Sequence, residues 1–192
     1  MMDAQELNRL WQSYQLRVTD EIVRSPEVLF CNGSAIGTLG NFSASTGKAK
    51  SKKTFNVSAI LAAALTNGEV LRYIDKFPDD KRTILYFDTE QSPHHCQRVM
   101  KRALRLAGLP VDRHPENLIF AQLRAITPDL RLELIDNAIA NTPNVGLVII
   151  DGVRDLMFDI NNAIESSKLI GKLMEWTDKY QIHIHTVLHL NK

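Results

Sequence analysis

The order of apolar and polar positions along the chain predicts alternating strands and helices. Short apolar runs predict strands at residues 27–31, 41–45, 83–88, 117–123, 145–151 and 182–188. Apolar residues at helical spacing predict helices at residues 3–17, 53–66, 93–107, 129–141 and 163–180. Glycine-containing segments at residues 32–33 and 37–40 predict turns. Because strands that alternate with helices form βαβ units, the sequence predicts an α/β fold with a mainly parallel sheet flanked by helices.

Length, composition and charge place the chain among ordinary globular proteins. Its 192 residues suit a single domain, and 44% of them are hydrophobic. A formal net charge of +1 gives no overall field that would recruit nucleic acid. No apolar run reaches the roughly 18 residues that span a membrane, and the N-terminus does not resemble a signal peptide, so we expect a cytoplasmic protein without a membrane partner. We expect an N-terminal helix and short strand, residues 1–35, to pack on a core formed by residues 36–192.

The segment at residues 47–54 nearly matches the phosphate-binding pattern G-x-x-x-x-G-K-[ST]. Gly47 fits the first position, and Lys53 and Thr54 fit the last two, whereas Lys52 stands in place of the second glycine. In such a loop the backbone N–H groups and the following helix N-terminus attract phosphate, the lysine reaches the β- and γ-phosphates, and the threonine hydroxyl ligates Mg²⁺. The pattern therefore predicts a site for a nucleoside triphosphate and Mg²⁺. The alternative is a solvated basic loop of four lysines before a helix.

Three more polar residues follow predicted strands, at the edge where sheets of this type bind ligands. Asp151 ends an apolar strand, where it would hold Mg²⁺ through water; the alternative is a cap on the next turn. Glu90 would activate the water that attacks the γ-phosphate; the alternative is a carboxylate that favours a helix N-terminus. His189 would sense the γ-phosphate by a hydrogen bond; the alternative is a histidine whose hydrogen bonds are made only to neighbouring residues. The convergence of these residues with the 47–54 loop favours a nucleotide site more strongly than any one motif.

The order of these motifs resembles that of the RecA-like P-loop ATPases. The P-loop is followed by Tyr-Phe-Asp-Thr-Glu-Gln, then by a hydrophobic residue with Asp, then by His-Leu-Asn-Lys. Within that superfamily the chain looks most like the replicative helicases of the RepA and DnaB type and the RecA-like ATPases of bacterial mobile elements. The resemblance covers about residues 36–192. It implies a RecA-like P-loop core, ATP and Mg²⁺ as ligands, and ATP hydrolysis in DNA replication, mobilisation or recombination.

The resemblance also implies roles for individual residues and partners. It implies a nucleotide-binding loop, which we assign to Gly47, Lys50, Ser51, Lys52, Lys53 and Thr54. It makes Glu90 the catalytic glutamate and His189 the γ-phosphate sensor, with Lys53 acting on the same phosphate. It implies that Asp151 and Thr54 bind the Mg²⁺ ion. Beyond the nucleotide, it implies DNA as a partner and assembly of identical chains into a ring or filament.

Two departures from the family pattern bear on this chain. Lys52 breaks the loop consensus, which bears on nucleotide affinity. In RecA-like cores the sensor strand lies between the P-loop strand and the strand that ends in Asp, and further strands lie beyond the P-loop strand. The chain ends four residues after the strand at 182–188, so we expect it to lack the distal strands and to be part of a longer protein or a shortened form of one. The P-loop strand is then expected at an exposed edge, or covered by the strand at 27–31.

Three functions are compatible with these features. The first, which we favour, is an ATPase that acts on DNA. The second is a degenerate nucleotide-binding module without turnover, which Lys52 favours. The third is a non-catalytic interaction domain, which the predicted exposed N-terminal helix and the missing distal strands favour.

Overall fold

The computed structural model describes residues 2–47, 53–159 and 161–189, with the backbone alone for His189. Within these residues the strands are β1 (Glu27–Cys31), β2 (Ser34–Thr38), β3 (Phe42–Gly47), β4 (Glu69–Val70), β5 (Tyr73–Asp75), β6 (Thr83–Asp88), β7 (Leu118–Gln122), β8 (Val145–Asp151) and β9 (His183–His189). The α-helices are α1 (Ala4–Ser13), α2 (Lys53–Thr66), α3 (Pro93–Leu106), α4 (Pro128–Asn141) and α5 (Ala163–Tyr180). Short 3₁₀ helices occur at Asp79–Lys81 and Val153–Leu156.

Five strands form a parallel sheet in the order β3-β9-β8-β6-β7. This sheet confirms the predicted α/β fold and is consistent with a RecA-like P-loop core. Strand β9 lies between β3 and β8, as the resemblance implied. Because all five strands run in the same direction, their carboxyl ends lie along one edge of the sheet. The predicted site residues follow the strands at that edge.

The other four strands form an antiparallel sheet in the order β2-β1-β5-β4, which the pattern of apolar residues does not predict. The turn predicted at residues 37–40 is wrong at its start, because Ser34–Thr38 pairs with β1 as a strand. Gly37 lies inside that strand, where a Cβ atom would come within 2.7 Å of the His183 ring. The chain turns later, at Gly40, whose φ of +78° is a conformation that glycine adopts readily.

Strand β3, which leads into the 47–54 loop, lies at an edge of the parallel sheet. In the part of the chain that the structure describes, β3 pairs with β9 alone. The alternative in which the strand at 27–31 covers this edge is wrong, because β1 pairs with β2 and β5 instead. The Gly40 N–H donates to the Ile182 carbonyl at 3.1 Å and joins the start of the β3 segment to the start of β9.

Helices cover both faces of the parallel sheet. Helices α2 and α3 pack on one face, where alternate positions of β6 and β8 contribute Tyr86 and Leu147. Helices α4 and α5 pack on the other face, where the next positions contribute Phe87 and Val148 around the fully buried Trp176. The apolar runs at 83–88 and 145–151 therefore reflect strands that are buried on both sides. None of the helices within the described ranges is both long and apolar enough to cross a lipid bilayer.

The N-terminal helix α1 begins with a reciprocal cap. The Glu6 N–H donates to Asp3 Oδ1 at 2.7 Å, and the Asp3 N–H donates to Glu6 Oε2 at 3.2 Å. The helix ends at Ser13, earlier than the predicted residue 17, and it contains no buried residue. Strand β1, in contrast, contributes the fully buried Val28 and Leu29 to the core. The division of the chain at residue 35 stays a prediction.

Candidate functional site

The carboxyl edge of the parallel sheet brings residues from four strands together. Asp88 at the end of β6 lies opposite Asp151 at the end of β8, and Asp151 lies opposite Val187 of β9. Gly47 at the end of β3 lies opposite His189, two residues further along β9. The register therefore places the start of the 47–54 loop at the same edge as both aspartates.

Lys53 connects the first turn of α2 with the end of β3. Its ammonium Nζ donates to the Gly47 carbonyl oxygen at 2.5 Å, although Lys53 is only 5% exposed. Thr54 follows in the first turn, and its carbonyl accepts a 2.7 Å bond from the Ser58 hydroxyl. The lysine side chain thus reaches back from the helix to the strand that precedes the loop. The N-terminus of a helix carries positive potential. The Lys53 ammonium and the N-terminus of α2 therefore both contribute positive charge at this end of the helix.

Three of the predicted loop residues, Lys50, Ser51 and Lys52, lie outside the described residues. Their phosphate contacts stay predictions. The side chain of His189 also lies outside the described part, although its backbone pairs with Gly47 as the last residue of β9. The role of His189 as a γ-phosphate sensor therefore stays a prediction as well.

Asp151 accepts a hydrogen bond from a buried phenol that no sequence motif indicates. The Tyr86 hydroxyl donates to Asp151 Oδ2 at 2.9 Å, and both residues are buried. Burial, followed by the nearby charges of Asp151 and Asp88, holds the pKa of Tyr86 well above its usual value. The phenol therefore stays protonated and acts as the donor. Alternation along β6 puts Tyr86 and Asp88 on one face, but it does not identify Asp151 as their neighbour, because that contact depends on the register of β6 against β8.

Asp88 forms the start of the turn that carries Glu90. Its Oδ1 accepts bonds from the N–H groups of Glu90 at 3.1 Å and Gln91 at 2.7 Å. Its Oδ2 is buried without a hydrogen-bonding nitrogen or oxygen among the residues described. Burial raises the pKa of Asp88, with a smaller rise from Asp151, while the two backbone bonds act in the opposite direction. Burial and the charge of Asp88 also raise the pKa of the neighbouring Cys96 thiol to about 12, so this cysteine is not a reactive thiolate.

The turn after β6 is packed tightly against the turn after β8. The Thr89 hydroxyl lies 3.0 Å from the Asp151 carbonyl, 2.9 Å from the Gly152 carbonyl and 2.9 Å from Asp155 Oδ2. A Cβ atom at Gly152 would lie 2.2 Å from this hydroxyl and 2.8 Å from Glu90 Cγ. Gly152 also has a φ of +100°, which disfavours any residue with a side chain. The predicted Glu90 thus lies with its Cγ beside Gly152, the residue that follows the predicted Asp151.

A second polar cluster lies along the paired strands β3 and β9. The Ser43 hydroxyl lies 2.9 Å from His183 Nε2 and 2.8 Å from His185 Nδ1. His185 Nε2 lies 2.9 Å from the Ser45 hydroxyl, and His183 Nδ1 lies 3.0 Å from the Thr38 carbonyl. Burial lowers the pKa of each histidine from 6.5 to about 4. Both imidazoles are therefore neutral at physiological pH and take part in a continuous hydrogen-bonded chain.

The donor set at the edge suits a hard cation that keeps much of its own water. In the described ranges no group of three or more histidine, cysteine, aspartate or glutamate residues is arranged to hold a metal. Mg²⁺ does not require such a cage, because it is usually bound through one or two carboxylates together with phosphate oxygens. The oxygens of Asp151 and Thr54 fit that requirement.

Comparison with known proteins gives the family. A family model described as an AAA domain matches residues 34–192, which is most of the chain. No significant match was found among curated proteins. The matched family indicates nucleotide-binding ATPase activity, typically with Mg²⁺. The chain belongs to this AAA domain family of P-loop ATPases.

Proposed function

We propose that this chain binds ATP with Mg²⁺ at the carboxyl edge of its parallel sheet and hydrolyses the γ-phosphate. The observation that carries the proposal is the position of Lys53, which begins a buried helix and reaches back to Gly47 at that edge. Asp151 ends β8 at the same edge, and Glu90 Cγ lies beside Gly152, the residue that follows Asp151. A cationic phosphate contact and two acidic groups at one sheet edge are the arrangement that phosphoryl transfer uses.

The phosphate groups would bind between the end of β3 and the first turn of α2. There Lys53 would exchange its bond with the Gly47 carbonyl for bonds to the β- and γ-phosphate oxygens. The intervening Lys50, Ser51 and Lys52 would line the loop, with the Lys52 side chain turned outward so that its backbone N–H can approach phosphate. The helix N-terminus would add favourable potential for the anion.

Asp151 and Thr54 would hold the Mg²⁺ of the nucleotide complex. Bound there, the ion would supply positive charge that offsets the negative charge of the phosphate groups. Glu90 would orient the attacking water and accept its proton, since its side chain lies beside Gly152 next to Asp151. His189 would contact the γ-phosphate from the end of β9, opposite Gly47.

The wider role follows from the motif order. Because that order resembles the RepA and DnaB type of helicase and the ATPases of mobile elements, we propose that the domain acts in DNA replication, mobilisation or recombination, in the cytoplasm, as a ring or filament. Light scattering with and without ATP and single-stranded DNA tests this assembly. If the molar mass from light scattering stays at that of one chain in the presence of ATP and DNA, the proposed assembly is wrong.

Calorimetry and phosphate release test the nucleotide site. We expect wild type to bind ATP with Mg²⁺ and Lys53→Ala to bind ATP at least tenfold more weakly. Lys76→Ala is the control and should bind ATP as wild type does, because Lys76 lies over the Phe30 ring of the antiparallel sheet. Glu90→Gln should keep binding and lose turnover. No binding by wild type at millimolar ATP would overturn the proposal.

A second candidate is a nucleotide-binding module without turnover, and Lys52 in place of the consensus glycine is the observation that favours it. This module would bind ATP yet release phosphate no faster than Glu90→Gln. A clear difference in phosphate release between these two proteins would exclude it.

A further inference from the structure

The Tyr86 hydroxyl lies against the aspartate that would hold Mg²⁺. It donates to Asp151 Oδ2 at 2.9 Å, where Tyr86 is 0% exposed and Asp151 is 3% exposed. The two side chains share one face of the sheet, since Tyr86 on β6 lies opposite Ile149, two residues before Asp151 on β8. Burial protects this bond from competition by water.

The Tyr86 ring packs against strand β7, which lies on the other side of β6 from β8. It stacks on Phe120 of β7, with ring centroids 4.3 Å apart and planes inclined by 10°. Strand pairing also places Tyr86 directly opposite Phe120. Strand pairing on both sides of β6 and stacking on Phe120 restrict the position of the Tyr86 ring. In that position its hydroxyl meets the carboxylate of Asp151.

A fixed donor matters at this position because a carboxylate at the end of a strand can rotate about its side-chain bonds. Mg²⁺ demands near-octahedral geometry, so its affinity depends on where the carboxylate oxygen lies. Asp88 lies directly opposite Asp151, and repulsion between the two carboxylates favours orientations that separate their oxygens. Hydrogen bonds that orient metal-binding groups typically contribute about 10- to 100-fold in metal affinity or activity.

We propose that Tyr86 is a positioning residue for Mg²⁺, whose hydroxyl holds the Asp151 carboxylate in the orientation that receives the hydrated ion of the nucleotide complex. The inference rests on the proposed function. The hydroxyl makes the hydrogen bond to Asp151, whereas the ring is buried in the core and stacks on Phe120. Loss of the hydroxyl should therefore weaken Mg²⁺ binding while it spares the fold and the binding of metal-free nucleotide.

The test compares Tyr86→Phe with wild type and with Tyr73→Phe. Tyr73 is a matched control, because it is also a buried tyrosine, 8% exposed, but lies on β5 in the antiparallel sheet. ATP affinity is measured in EDTA and across a Mg²⁺ titration, and Mn²⁺ binding to the ADP complex is followed by electron paramagnetic resonance. Thermal unfolding of each variant establishes that the isosteric change keeps the fold.

We expect Tyr86→Phe to raise the Mg²⁺ and Mn²⁺ concentrations for half-saturation about tenfold and to change ATP affinity in EDTA less than twofold. In an Asp151→Asn background, Tyr86→Phe should add no further loss. If Tyr86→Phe has the metal dependence of wild type, or loses equal ATP affinity with and without metal, the positioning role is wrong while the proposed function stands. Failure of wild type to bind ATP in either condition would instead overturn the proposed function and this inference with it.

Discussion

Ser43 on β3 and His185 on β9 are joined by a hydrogen bond of 2.8 Å between Oγ and Nδ1. The bond belongs to a chain whose direction is set at the Thr38 carbonyl, because a carbonyl can only accept and His183 Nδ1 must therefore donate to it. His183 Nε2 then accepts from Ser43, Ser43 accepts from His185 Nδ1, and His185 Nε2 accepts from Ser45. The chain is complete only while both imidazoles are neutral.

The first prediction is that acid destabilises the protein through these histidines. Their pKa of about 4 in the folded state lies below the usual 6.5, so their contribution to stability is fully present above pH 6.5 and is lost as the pH falls toward 4. At pH 5 each histidine should lower the free energy of unfolding by about 2 kcal/mol relative to pH 8. Urea denaturation at both pH values measures this difference.

Two variants separate this effect from other titrating groups. His185→Gln should reduce the difference between pH 8 and pH 5, whereas the exposed His95→Gln should leave it unchanged. The interpretation is wrong if His185→Gln and wild type lose the same stability on acidification.

The second prediction is that Asp75→Asn stabilises the protein at neutral pH. Asp75 on β5 is fully buried, and neither carboxylate oxygen has a hydrogen-bond partner among the described residues. Burial raises its pKa well above the usual value of 3.8, so ionisation of Asp75 opposes folding at pH 8, and this effect shrinks as the pH falls below the folded-state pKa and vanishes near 3.8. We expect a gain of about 1–3 kcal/mol at pH 8 that declines toward pH 4, measured by urea denaturation.

The exposed Asp80→Asn is the matched control and should change stability by less than about 0.5 kcal/mol. If Asp75→Asn is less stable than wild type at pH 8, Asp75 has a stabilising partner and the prediction is wrong.

The third prediction concerns Arg131, a buried cation bound by backbone carbonyls. Its guanidinium donates to the carbonyls of Leu123 at 3.0 Å, Arg124 at 2.9 Å and Asp155 at 2.5 Å. Lysine cannot reproduce this planar fork, so Arg131→Lys should lower the free energy of unfolding by about 2 kcal/mol. Urea denaturation measures the change, and Arg98→Lys on the exposed side of α3 provides the control. Equal stability of the two variants would show that the fork is dispensable.

The fourth prediction uses Gly152 to test the position of Glu90. In Gly152→Ala the new methyl group would overlap the Thr89 hydroxyl and press on Glu90 Cγ. We expect phosphate release to fall by about 100-fold, because a displaced catalytic group loses its alignment, while ATP affinity changes much less. Single-turnover hydrolysis and calorimetry measure the two quantities.

Gly108→Ala is the control for backbone strain. Gly108 also has a positive φ, +69°, but a Cβ atom there would meet nothing within 4 Å. This variant should lose stability and keep its rate of phosphate release. An equal loss of rate in both variants would assign the effect to strain and not to the contact with Glu90.

The long, fully buried segments could be predicted from the sequence. The apolar run that ends at Asp151 and the alternation of strands with helices gave the parallel sheet, since neither signal depends on distant contacts. The resemblance to RecA-like proteins placed β9 between β3 and β8 correctly. Strands β4 and β5, with two and three residues, are too short for any period, and their pairing is set by a turn at Leu71, whose φ is +56°.

The contact of Tyr86 with Asp151 was also missed, for a different reason. Its residues lie 65 positions apart, and only the register of β6 against β8 brings them together. A tyrosine in an apolar strand looks like an ordinary core residue, because nothing local in the sequence indicates what its hydroxyl meets.

The edge position of β3 makes hydrogen exchange a direct reporter of nucleotide. Strand β9 is bonded on both sides, whereas β3 has β9 as its one paired neighbour in the described chain. Amides of β3 should therefore exchange through small local openings well before those of β9. A ligand that bridges Gly47 and Lys53 would tie the free side of β3 to helix α2 and slow its exchange selectively.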